Sequence, residues 1–432
     1  MFVNRLKGWQ RWGLGLFLGL TVAVVASCGF GGDRSGQNSA IEFWTMQLQP
    51  QFTEYFQDAI ANFEADRPHS GITWVDVPWS AMERKIIAAV SARSAPDVVN
   101  LNPNFASLLA GRNAWLDVGA SVPETLRQQY WPNLWQASVL GDRAFGIPWY
   151  ATTRITIYNR EILDAAGVLT PPTTYAELAD FARQVKETTG KYAFFATVVA
   201  EDSGEVLESL VQMGMKLIDE NGRAAFNTPE GNAAFRYWVD LYQQGLLPRE
   251  ALTQGHRRAI ELYQAGEVAL LASGPQFLRT IAQNAPTIAA VSEVAPQITG
   301  QTGKKSVAVM NLVIPRDTDR PEAAVAWALY ITNPANQLAF AKLTNTLPST
   351  RESLDDPYFQ TLAPDASAVD VARLVSASQL PDAEVLVPPM KDVDRLQQML
   401  YDNLQAAMLN QKSVEVALSD AEEAWNRLQF TR

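Results

Sequence analysis

The chain has 432 residues, 47% of them hydrophobic, and its 35 basic and 46 acidic residues give a formal net charge of −11 at pH 7. That acid surplus disfavours a nucleic-acid binder, whose affinity rests on basic patches neutralising phosphates, and a single cysteine excludes an internal disulfide. The length supplies material for two cores, since single cores stop growing near roughly 250–300 residues.

The N-terminus carries Arg5, Lys7 and Arg11 with no acid, then an apolar run from about Leu14 to Ala26. Together they read as the two regions of a secretory signal, and the run is shorter than the roughly 20 apolar residues that span a bilayer. It ends in Val25-Ala26-Ser27-Cys28, which reads as a lipobox in which the thiol of Cys28 takes a lipid. The alternative is an ordinary signal followed by an incidental free cysteine. Removal of residues 1–27 takes away three basic residues and no acid, leaving −14. Residues 28–40, rich in Gly and Ser, read as a flexible tether.

From Ile41 onward the pattern is regular. Ile41 to Trp44 is a strand candidate, followed by Phe52, Tyr55, Phe56, Ala59, Ile60 and Phe63 at helical spacing. Ile72–Val77 alternates like a strand, Ser80-Ala81-Met82-Glu83 has capping-box spacing before another helix, and residues 96–101 form a third strand. This strand–helix rhythm predicts an α/β fold. It resumes with a strand at Arg154–Tyr158 and a capping box at Thr174–Glu177. A helix opens at Thr228-Pro229, and strands follow at Val268–Ala272 and Val307–Ile314. A long helical region opens at Pro321, and the tail from Asp392 to Leu428 carries Leu396, Met399, Val416, Leu418, Ala421 and Trp425 as its expected buried stripe.

Catalytic signatures are missing. His69 and His256 have no Cys or second His at metal-ligand spacing, and there is no G-x-S-x-G elbow or P-loop. Adjacent acids such as Glu201-Asp202 point in different directions on a regular element. The expectation is therefore no enzyme, no metal and no cofactor.

Several stretches carry a resemblance to a known family: Ile41-Glu42-Phe43-Trp44-Thr45, Ala95-Pro96-Asp97-Val98-Val99, and Gly146-Ile147-Pro148-Trp149-Tyr150 followed by Ile157-Tyr158-Asn159-Arg160-Glu161. Later come Ala265-Gly266-Glu267-Val268-Ala269, Gly274-Pro275-Gln276-Phe277 and Leu347-Pro348-Ser349-Thr350-Arg351. In this order the chain resembles the extracellular sugar-binding proteins of bacterial ABC importers, in lipoprotein form. The resemblance implies a periplasmic-binding-protein type II fold, two α/β lobes joined by a hinge with the ligand cleft between them. The first lobe would hold residues 40–148 and 312–355 and the second 149–308 and 360–432, with crossings near Pro148-Trp149, Val309-Met310-Asn311 and after Leu354. It also implies a monomer that captures a sugar-like solute, hands it to permease subunits, and touches the cytoplasmic membrane only through its lipid.

A sugar site wants aromatic planes and forked polar groups. Trp44, Gln47 and Trp79 follow or end strands, Trp149 and Tyr150 sit at an expected crossing, and Asn102 and Asn104 follow the third strand. For the tryptophans the competing expectation is core packing; for the two asparagines it is turn chemistry around Pro103. Where the family usually has Trp after Gly-Pro, this chain has Gln276 and Phe277. Arg154, Asn311 and Arg351 complete the candidate set, while Trp115, Trp238, Trp327 and Trp425 are assigned to packing. A polyol or glycerol-phosphate ester is the nearest alternative ligand, and an envelope glycoside hydrolase a more distant alternative function.

Overall fold

The computed structural model describes residues 40–430 apart from 201, 203, 389 and 391, without the side chains at 103, 104 and 430. Cys28, the signal and the tether up to residue 39 lie outside the described residues.

Strand β1, Ile41–Met46, buries five of its six residues because both of its faces are covered. Ile41 and Phe43 join one core cluster, while Trp44 and Met46 join another on the opposite face. The helix Thr53–Asp66 then buries Phe56, Ala59 and Phe63, one stripe at helical spacing. β2 (Ile72–Val77) and β3 (Val98–Leu101) flank β1, both parallel to it. A short hairpin, β4 (Val139–Leu140) and β5 (Arg143–Ala144), turns at Gly141, whose φ of 65° suits glycine. β6 (Ile147–Thr153) is separated by Arg154 alone from β7 (Ile155–Asn159). β8 (Leu270–Ser273), β9 (Ser292–Pro296), β10 (Lys305–Val313), β11 (Leu347–Pro348) and β12 (Ala383–Glu384) complete the strands.

Two sheets carry the chain. The larger runs β11-β6-β10-β3-β1-β2 with β12 beside β10, and the smaller is antiparallel, β8-β7-β9. β10 pairs antiparallel with both β3 and β6. On the smaller sheet, one face packs under the helices Tyr175–Thr189, Glu205–Gln212, Pro229–Gln243, Val393–Met408 and Val414–Phe430. The other face, with Ile155, Ile157 and Leu271, meets the helices His256–Gln264 and Phe277–Asn284.

Most expected elements are present with shifted ends. The Thr174–Glu177 capping box forms in full, and Thr228 caps a helix with Pro229 at its first position. The box at Ser80 does not form. Pro78, extended at ψ 143°, enters the helix Trp79–Ser91 directly, so Ser80 is already inside it. The region after Pro321 divides into Pro321–Ile331 and Pro334–Thr344, because Asn333 caps a new helix by accepting from Asn336 N–H and Pro334 has no N–H to continue the old one. In the tail, Val416 is 49% exposed, opposite the buried stripe of Val414, Ala417, Leu418, Ala421 and Trp425, and Met399 is only partly buried. Trp115, Trp238, Trp327 and Trp425 are all buried. Among the described residues no helix is long and apolar enough to cross a membrane.

Candidate ligand-binding site

The carboxyl ends of β1, β2 and β3 lie side by side, where ligands of open α/β sheets sit. The loop after β1 is pinned there by Asp76, which accepts from Thr45 Oγ1 at 2.7 Å, Leu48 N–H at 2.9 Å and Gln49 N–H at 3.0 Å. Between these anchors Gln47 is exposed with φ at 55°, a backbone state uncommon for a side chain larger than glycine and often found at functional sites. Its Oε1 accepts from Trp79 N–H at 3.4 Å. Trp79, at the end of β2, leaves 42% of its surface exposed, which is unusual for the largest apolar side chain.

Tyr150 on β6 is half-buried and meets Trp149 edge-on at 5.1 Å. Burial raises its phenol, and the Asp76 carboxylate raises it further, so the hydroxyl stays protonated and able to donate. Trp149 itself has no exposed surface. It stacks on Phe340 at 4.9 Å and supports Tyr150 from beneath, so it is excluded from direct contact with a ligand. Trp44 is similarly withdrawn: its indole N–H donates to Glu42 at 2.6 Å, and the Lys85 ammonium lies over its ring at 3.7 Å. For both, the packing expectation prevails.

Asn102 spends its Oδ1 on the N–H of Phe105, capping the helix Pro103–Ala110. The side chain of Asn104 lies outside the described residues. Asn311 is wholly buried: Ser138 donates to its Oδ1 and its own amide donates to Val309 O at 3.0 Å. The Arg351 guanidinium lies 5.6 Å over the Trp131 ring.

A second group forms around Arg154, the residue between β6 and β7. Arg154 Nε donates to Glu208 at 3.0 Å. Burial works against its charge, but Glu208 and then Glu205 outweigh that and hold it protonated. Beside it opens a small pocket whose lining includes Thr156, Tyr175, Glu205, Phe195 and Trp238. His256 heads its helix with its backbone N–H on Asp202 at 2.6 Å, its Nδ1 3.6 Å from Glu205 and its ring 6.2 Å from Phe277, edge to face. Gln276 is exposed and folds back over Gly274, where an added methyl would strike its amide. Sequence reasoning missed Asp76, Glu205, Glu208 and His256. A lone histidine reads as solvated, and only the helix starts at Glu205 and His256 bring those two together.

The geometry thus offers one aromatic group around Gln47, Trp79 and Tyr150, its loop pinned by Asp76, and one charged group around Arg154, Glu205 and Glu208, with His256 beside it. Two sheets with their own cores and polar-aromatic strand ends define the class of two-lobed binding proteins.

Residues 49–338 match the family described as bacterial extracellular solute-binding protein. A protein of Synechococcus sp. MITs9220 assigned as an oligosaccharide periplasmic-binding protein, solved with zinc, is 45% identical with a TM-score of 0.83, over 90% of this chain and 98% of that one. The cyclic alpha-maltosyl-1,6-maltose binding protein of Arthrobacter globiformis shares the fold, with a TM-score of 0.78 at 20% identity over 91% of this chain and all of that one. The arabinooligosaccharide-binding protein of Halalkalibacterium halodurans is 26% identical over 76% of this chain and 75% of its own length. The chain belongs to the bacterial extracellular solute-binding protein family, has its periplasmic-binding-protein type II fold, and is a substrate-binding protein rather than an enzyme. Among its described residues no three or more His, Cys, Asp or Glu side chains come together to hold a metal.

Proposed function

We propose that this chain is the sugar receptor of an ABC importer, lipid-anchored through Cys28 after loss of residues 1–27, monomeric, and closing over its solute to present it to membrane permease subunits. The observation that carries the sugar reading is Trp79, an indole 42% exposed beside Gln47 at the carboxyl ends of parallel strands. A sugar ring offers a flat C–H face for such a plane and hydroxyls for the amide beside it. Relatives named for an oligosaccharide, an arabinooligosaccharide and a cyclic maltosyl-maltose support the same class. Gln47, Trp79, Tyr150 and Asn102 form the first wall; Arg154, Gln276 and Phe277, joined by Glu205 and His256, form the second. The seven-stranded sheet is the core of the first lobe and the three-stranded sheet that of the second.

The lipid anchor rests on the Val25-Ala26-Ser27-Cys28 run. Incorporation of labelled palmitate into the expressed protein, lost in Cys28→Ser, tests it; equal labelling of both refutes it. The ligand is tested by thermal shift against mono-, di- and trisaccharides, polyols and phosphate esters, since a ligand that binds only the folded state raises the midpoint. A rise confined to sugars is expected. A rise with phosphate esters alone, or with none of the panel, rejects the sugar reading.

A further inference from the structure

The interval between the two sheets is one residue wide on one strand. The last pair between β6 and β10 is Thr153 with Val307, and the first pair of β7 in the small sheet is Ile155 with Pro296. The strand positions that the family resemblance nominates for bending lie inside the large sheet. Trp149 and Asn311 are fully buried there, and β6 and β10 remain paired past both of them.

Where the sheets part, backbone groups that lose a neighbouring strand need other partners, because a buried unpaired peptide group is costly. Two glutamine side chains supply them. Gln297 Oε1 accepts from Ser306 N–H at 3.0 Å, and its Nε2 donates to Ser306 O at 3.3 Å, so one amide pairs with a residue's backbone as a strand would. Gln379 Oε1 accepts from Gln297 N–H at 3.0 Å, and its Nε2 donates to Arg154 O at 3.0 Å. Both side chains are almost wholly buried. Around them Glu208 accepts from Arg154 Nε and from Ser306 Oγ at 2.9 Å, and the Thr153 and Ser376 hydroxyls meet at 2.7 Å. Three chain crossings, at Thr153-Arg154, Gln297–Ser306 and Ser376–Gln379, are tied into one polar cluster.

We propose that this cluster is the hinge, and that Gln297 and Gln379 are positioning residues that set how far and along which line the lobes move. The inference rests on the two-lobe closure reading. A ladder of backbone bonds resists bending, whereas a side-chain amide turns about its own torsions and keeps its two bonds as the strands on either side rotate. The glutamines therefore allow one line of flexure and hold the crossings together along it. Gln337 provides a contrast of the same chemistry: its buried amide donates to Thr332 O at 2.7 Å and accepts from Ser349 N–H at 2.6 Å, entirely within the first core.

The test is the distribution of inter-lobe distances. Labels are placed at Asp66→Cys and Asp240→Cys, both exposed, in the full-length chain carrying Cys28→Ser, with and without maltotriose, arabinotriose or cellobiose. Gln297→Ala and Gln379→Ala are expected to broaden the ligand-free distribution and shift its mean, while Gln337→Ala lowers the melting temperature and leaves the distribution as in the parent. Gln379→Asn, shorter by one methylene, gives a smaller shift and covers the case in which the alanine variant fails to fold. If the parent changes distance with a sugar but the Gln297 and Gln379 variants match it, or if Gln337→Ala shifts the distribution equally, the hinge assignment is wrong. If the parent holds one distance with every sugar, closure itself fails and the hinge with it.

Discussion

The two groups of strand-end residues are built on opposite principles. Around Gln47, Trp79 and Tyr150 the indole and amide face solvent and the nearby carboxylate, Asp76, is spent on pinning the loop beneath them, while around Arg154 the guanidinium is packed against Glu208 with Glu205 close by. A neutral group can exchange water for ligand hydroxyls at small cost. A paired charge must first keep its partner, because a buried ion without one is costly. The comparison teaches that, on the proposed reading, the first wall has solvent-facing groups to offer a ligand, whereas much of the second wall's polarity is committed to holding the protein's own segments in place.

The sharpest way to break the comparison is in the layer beneath each wall. Trp149→Ala should remove the floor under Tyr150 and cost about 4 kcal/mol of stability in urea unfolding, since large aromatic truncations in cores cost ~3–5 kcal/mol; a loss below about 1 kcal/mol would show that Phe340 and Phe56 do not depend on it. Next in size, Glu208→Ala removes Arg154's hydrogen-bonded partner, leaving only the charge of Glu205 nearby, and should cost about 3 kcal/mol, with Arg154→Met/Glu208→Leu recovering most of it. If the double variant is no more stable than the single one, the pair is not mutually compensating. Trp79→Ala should leave stability within about 0.5 kcal/mol yet weaken sugar binding about tenfold, or ~1.4 kcal/mol; unchanged affinity by titration calorimetry would remove the indole from the first wall.

The smallest effect concerns pH. Glu293 sits below the usual glutamate value of 4.5, chiefly through the hydrogen bond from Arg160 and then that from Tyr158. A lowered carboxylate stabilises the fold above its unfolded value and loses that contribution as pH falls through and below it. Stability should therefore decline less steeply below pH 4.5 in Glu293→Gln than in the parent. An identical acid limb in both would mean that the contact contributes nothing.

Legibility in the sequence followed the strength of the local signal. β2 could be bounded residue for residue because it alternates, and Thr174 and Thr228 mark helix starts by their own side-chain chemistry. β9, Ser-Glu-Val-Ala-Pro, has no such pattern and exists because β7 pairs with it. At the candidate site the exposure of Gln47 and Trp79 was legible, because both follow strands directly. The burial of Trp44 and Trp149, which also stand at or near strand ends, was not, because neighbouring elements cover them. Glu205 and His256 are 51 positions apart and meet only because two helix starts converge.

The placement of β10 reaches beyond binding to the moment of synthesis. It lies between β3 and β6, so the large sheet stays open down its middle until residue 313 has left the ribosome. Long-range pairing of this kind is slow to form. An extracellular protein has to pass a membrane before it folds, and a sheet whose central strand is made so late keeps the growing chain threadable for most of its length.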